Sequence, residues 1–234
     1  MNKEETKLLM MRKDNKISES DYQMLLAALN KKSLCTQIEN SIFINPFQKI
    51  AGFKALTLGL ILLILMSALG VYADVYFDGT LGYMMAYNIK AVKPNLVLLI
   101  YQNLVSCLTV SCLFILAAVL CKQKRIRIID FFGTVAFSRY PIFISLIFFT
   151  IFKYLDPQTF QYDRTKEIEF HLSFLNSFEN FVIFGAIFWQ LMTYFFAFKE
   201  SSGMEGKNLW GSFFTTIILG EVFAVIFTRW FFYV

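Results

Sequence analysis

From Phe53 to Val71 the chain runs nineteen residues with one charge, Lys54, in an otherwise almost wholly apolar stretch. A helix of that length matches the roughly 30 Å hydrocarbon core of a bilayer. Comparable blocks recur at about 96–121, 181–198 and 209–232, with a shorter one at 141–155. The blocks are continuously apolar rather than alternating, which argues against a β-barrel. At 57% hydrophobic residues and a mean hydropathy of +0.55, the chain is more apolar than a soluble domain of its size. The fold class predicted is all-α. It is a polytopic membrane protein with five transmembrane helices, an N-terminal cytoplasmic helical hairpin and interfacial helices.

The organisation follows from where the apolar blocks stop. Residues 1–32 read as a helical hairpin. Leu8, Leu9 and Met11 lie on one side of the first helix, and Tyr22, Leu25, Leu26 and Leu29 on one face of the second. Asp14-Asn15-Lys16 makes the turn, and Ser18 with Asp21 three residues on has the pattern of an N-terminal cap. Two short amphipathic helices cannot build a core alone, so the hairpin needs a partner. Residues 33–52 are a linker in which Pro46 opens a short interfacial helix. Residues 53–234 form the membrane domain, with the bilayer as its principal partner.

The net charge of +5 is gathered in a few segments. Lys122, Lys124, Arg125 and Arg127 form a basic knot between spans two and three. This is the pattern of a cytoplasmic loop that touches anionic lipid, and it implies no nucleic acid. With the N-terminus inside, fifteen of the Lys and Arg residues fall inside and six outside, Arg139 unassigned. That bias puts the C-terminus outside after five spans. The residues before the first span are polar, so no cleavable leader is expected. The four cysteines lack metal-ligand spacing and His171 is the one histidine, so no metal site or cofactor is expected. Without a Ser/His pair, paired aspartates or a His/Glu set, no catalytic residues are expected either.

Span three is the ambiguous one. Arg127, Asp130, Thr134 and Ser138 share one helical stripe, the pattern of a helix lying along the membrane surface. Pro141 would then mark the entry into the bilayer, leaving a span of 141–155. The other reading is one long kinked helix from Ile128. Four further features stand out. Glu221 sits mid-span, where a carboxyl is costly, with Arg139, Gln190 and Asn103 as candidate partners. Arg139 and Asp130 together are a candidate cavity lining. Ala51, Ala55 and Gly59, and again Ser212, Thr216 and Gly220, form small-residue ridges suited to close helix packing.

Two stretches carry resemblances. KLLMMRKDNKISESDYQMLLAAL resembles the short C-terminal type of helical hairpin, a docking or oligomerisation element. Asn45-Pro46-Phe47, Phe-Ser-Arg-Tyr-Pro at 137–141 and LMTYFFAFKESSGMEGKNLWGSFFTTIILGEV resemble the Yip-domain family over residues 45–234. That resemblance implies five spans and a non-enzymatic role. Eukaryotic members bind Rab-type GTPases through a cytosolic part with an Asp-Leu-Tyr-Gly-Pro element. This chain lacks the element and has the hairpin in its place. The function expected is a membrane scaffold or adaptor, docking a protein partner or a second copy through residues 1–32. Its Lys-, Ile- and Phe-rich usage points to a bacterial cytoplasmic membrane. The alternative is a small transporter or channel component with Glu221 as a coupling carboxyl.

Overall fold

The computed structural model describes residues 3–14, 16–30, 41–85, 94–123, 126–155 and 174–233. They divide into two compact units, 1–45 and 46–234.

The first unit holds α1 (Lys3–Lys13) and α2 (Glu19–Asn30), packed as a hairpin. The cap is the one the sequence predicts: Ser18 Oγ accepts from the Asp21 N–H at 3.1 Å, meeting one of the four donors a helix start leaves over. Arg12 ties the two helices together. It pairs with Glu19 at 2.7 Å and lies 4.8 Å over the ring of Tyr22, the buried residue at the centre of the hairpin.

The second unit is a helical bundle. Its membrane-crossing elements are α3 (Gly52–Ala73), α4 (Leu96–Leu120), α5 (Ile128–Phe137) with α6 (Tyr140–Leu155), α7 (Phe174–Ser202) and α8 (Gly206–Tyr233). Counting α5 and α6 as one pass, five helices among the described residues are long and apolar enough to cross a membrane. Their outward faces carry exposed Ile61, Ile64, Phe184, Phe214 and Ile218. So broad an apolar surface fits lipid rather than water, and the chain is an integral membrane protein. The one sheet described is a pair of two-residue strands, β1 (Val75–Tyr76) and β2 (Met84–Met85), antiparallel with Val75 opposite Met85.

Cross-contacts fix the direction of every helix. Asn103 Nδ2 donates to Ser67 Oγ at 3.0 Å while Leu99, earlier on α4, faces Gly70, later on α3, so α4 runs back along α3. Tyr101 OH donates to the Phe227 carbonyl, while Cys121 Sγ meets Ser212 Oγ at 3.4 Å, so α8 runs antiparallel to α4. Thr134 Oγ1 meets Ser201 Oγ, and Thr193 Oγ1 donates to the Ser138 carbonyl, so α7 runs antiparallel to α5 and α6. One end of the bundle therefore gathers Lys54, Lys122, Arg127, Lys199 and Lys207.

The helix ends obey local chemistry. Asn95 Oδ1 accepts from the Leu98 N–H at 2.8 Å and caps α4. At the other end of α4, Lys122 takes a left-handed φ of +56°. The Lys122 and Gln123 N–H groups close back onto the Val119 and Ala118 carbonyls, a Schellman ending. The basic knot thus begins at a helix C-terminus, where the dipole favours cations. Lys124 and Arg125 lie outside the described residues.

Two expectations change. Pro46 opens a single 3₁₀ turn, Pro46–Gln48, instead of an interfacial helix. Span three does not begin at Pro141. Instead α5 runs parallel to the first half of α3 in close contact, and α6 continues along the second half until Lys153 Nζ meets Asp74 at 2.6 Å. The reason is steric. A Cβ on Gly133 would stand 2.8 Å from the Leu56 nitrogen and 2.9 Å from the Gly52 oxygen, and one on Gly59 would stand 2.8 Å from the Phe137 nitrogen. Two glycines, with Ala55 and Ala136 between them, let two backbones touch. Of the predicted first ridge, Ala55 and Gly59 are used, while Ala51 precedes the helix and is exposed. The break at Ser138–Arg139 frees the Ser138 carbonyl, which Thr193 satisfies.

Candidate functional site

Between α3 and α4 the segment Phe77–Tyr83 leaves helical geometry yet is mostly buried in the bundle. Non-helical backbone at membrane depth is tolerated only where protein groups satisfy it. Here side chains of three helices do so. From α4, Gln102 Oε1 accepts from the Phe77 N–H at 3.0 Å, and Ser106 Oγ donates to the Gly79 carbonyl at 2.6 Å. From α7, Gln190 Nε2 donates to the Thr80 carbonyl at 2.9 Å and Tyr194 OH reaches it at 3.4 Å. From α8, Glu221 Oε2 accepts from the Thr80 N–H at 2.8 Å and from its hydroxyl at 2.5 Å. Ser106 is ten residues into α4, so the segment dips about 15 Å along that helix.

Glu221 is therefore held by Thr80, not by any of the partners the sequence suggests. Gln190 belongs to the same cluster through Thr80, whereas Arg139 makes no ion pair with Glu221 among the described pairs. The carboxylate also presses on Gly79, which sits at φ +97°, and a Cβ there would collide with Glu221 Oε1. A glycine is required at this point both for its φ and for the close approach. Nearer the far end, Asp78 accepts from Thr228 at 3.2 Å and from Arg229 at 2.6 Å and 2.9 Å. Arg229 thus bolts the segment to α8 as well as sitting at a span end. Burial, and secondarily the Asp74 charge, hold the Tyr76 phenol above its ordinary range, so it stays neutral.

Arg139 is fully buried, among the largest such side chains of the described residues. Its Nη1 approaches the Asn103 carbonyl at 3.5 Å, at the limit of a hydrogen bond. Its guanidinium carbon lies 5.9 Å above the Phe77 ring. Asn103 itself donates to Ser67. Asp130 is not brought to Arg139: it sits at the start of α5 beside Gly52, nine residues and about 13 Å away along the helix. On the second small-residue ridge, Gly220 faces the side chains of Val110 and Leu113 at ordinary van der Waals distance, Ser212 meets Cys121, and Thr216 is buried.

The sequence reading missed Thr80, Gly79, Asp78, Ser106 and Tyr194. The trace the sequence holds is Val75-Tyr76-Phe77, an apolar triplet between the first two spans, followed by Gly79 and Gly82. No group of three or more His, Cys, Asp and Glu side chains that could hold a metal ion occurs among the described residues, and His171 and Cys35 lie outside them. What the geometry defines is an integral membrane protein of five helical spans whose interior is filled by its own inserted segment. Comparison with family models, with curated proteins and with solved structures returns no match.

Proposed function

We propose that this chain is a non-enzymatic membrane scaffold or adaptor of the Yip type. In this reading it sits in a bacterial cytoplasmic membrane with its N-terminus in the cytoplasm and its C-terminus outside. The hairpin of residues 1–32 is its docking element, for a soluble partner or a second copy. The observation that carries the reading is the hairpin itself. It is a unit of its own, and Met10 and Met24 are 61% and 70% exposed on it. Flexible, polarisable methionines on an open surface suit protein contacts. The membrane unit supports the reading too, because its mid-span carboxylate Glu221, with Gln102, Ser106 and Gln190, is committed to the segment 77–80.

The test is a deletion of residues 1–32, with the remainder purified from native membranes and compared with the full chain by light scattering and by its co-purifying proteins. The expected result is loss of a higher oligomer or of one specific co-purifying protein. An unchanged oligomer and an unchanged set would refute the reading. A small transporter is the second reading, favoured by the half-buried position of Glu221 in mid-span. It requires that Glu221→Gln abolish flux in proteoliposomes, whereas the scaffold reading expects no flux to abolish.

A further inference from the structure

A guanidinium that is wholly removed from solvent needs acceptors for its five donors and a countercharge. Arg139 has one long contact, and among the described residues its Nε and Nη2 meet no acceptor. No carboxylate approaches it within ion-pair distance in any described pair. These two nitrogens form one edge of the planar fork, the edge that binds a carboxylate or phosphate bidentately. Arg139 also stands at the N-terminal end of α6, a sixteen-residue helix, where the dipole adds positive potential.

A cavity of about 410 Å³ opens between α3, α4 and α5, lined almost wholly by apolar atoms of residues including Leu60, Leu63, Leu104, Cys107 and Ala136. That volume is in the range of small-molecule pockets. Its lining includes Ala136, three residues before Arg139 on the other side of the helix break, and Cys107, four residues after Asn103 on α4. Side chains four apart share a helix face, so on α4 Cys107 of the groove and Asn103 lie on one side, although neither Arg139 nor Asn103 lines the groove itself. Leu60, Leu104 and Leu108 on its rim are exposed, on the face that meets lipid.

We infer that Arg139 is a binding site for an oxyanion group, carboxylate or phosphate, held within the membrane unit. The group has two possible sources: the head of a single-chain amphiphile whose tail fills the groove, or a free anion. Arg139 lies in the membrane unit, outside the hairpin of residues 1–32.

The test uses the full chain in nanodiscs of neutral phosphatidylcholine, with thermal unfolding followed against added laurate, dodecanol or inorganic phosphate. Saturable stabilisation by laurate but not by dodecanol, with no response to phosphate, is expected for the amphiphile. Stabilisation by phosphate is expected for the free anion. In either case Arg139→Lys, which keeps the charge and loses the fork, weakens the responding anion by about tenfold or more. Leu104→Trp, which narrows the groove, weakens laurate and leaves phosphate unchanged. The inference is overturned if neither anion stabilises the wild-type chain. It is equally overturned if dodecanol matches laurate while phosphate does not stabilise, or if Arg139→Lys binds the responding anion as the wild type does.

Discussion

At the scale of single residues, the informative side chain is Glu221. A carboxyl in the middle of a span is read by default as a site of chemistry. Its neighbours give it a structural duty instead: one oxygen accepts both donors of Thr80, and the rest of the head lies against Gly79. The duty needs an acceptor more than it needs a charge. Glu221→Gln keeps an amide oxygen for Thr80 and is expected to cost under about 1 kcal/mol, whereas Glu221→Ala strands two buried donors and should cost about 1–3 kcal/mol. Thermal unfolding of the two variants in one detergent checks this. Equal losses for Gln and Ala would mean that the charge itself is what matters. The sequence shows Glu221, Gln190, Gln102 and Ser106 as interruptions in apolar helices, so the polar cluster was half visible. Its other half was hidden because the shared partner is largely main chain, at Phe77, Gly79 and Thr80, and main-chain groups leave no residue-type signature.

At the scale of elements, α5 shows why amphipathic patterning misleads inside a bundle. The stripe Arg127, Asp130, Thr134, Ser138 has the period of a surface-lying helix. In the fold Thr134 and Ser138 are buried, Thr134 bonding Ser201 of α7 and Ser138 the Val135 carbonyl. Periodicity reports that a face is polar, and says nothing of whether water or a neighbouring helix receives it. The contact with α3 is made by Gly133, Ala136, Ala55 and Gly59, and the sequence announced only the α3 side of it. Gly133→Val is expected to cost about 1–3 kcal/mol, because the atoms in its way are backbone and cannot rotate aside. Gly185, with open space around its missing Cβ, is the control, and Gly185→Ala should leave the unfolding temperature unchanged or slightly higher. If both substitutions were tolerated alike, the α3–α5 contact would not be close.

At the scale of the molecule, the five spans and the capped hairpin were legible, because length, hydropathy and a Ser-x-x-Asp start are local properties. What could not be read was the insertion of residues 77–83 into the bundle. It depends on side chains 25 to 141 residues away finding one short stretch of backbone. That insertion divides the two views of the protein, since a filled interior suits a platform and an open one suits a conduit. Amide hydrogen exchange at Phe77 and Thr80, on the full chain in nanodiscs, tests it most directly. Both N–H groups donate to side chains within the bundle, so both should exchange as slowly as the amides of α4, and Glu221→Ala should release Thr80. Exchange of both amides at the rate of an exposed loop would contradict the account.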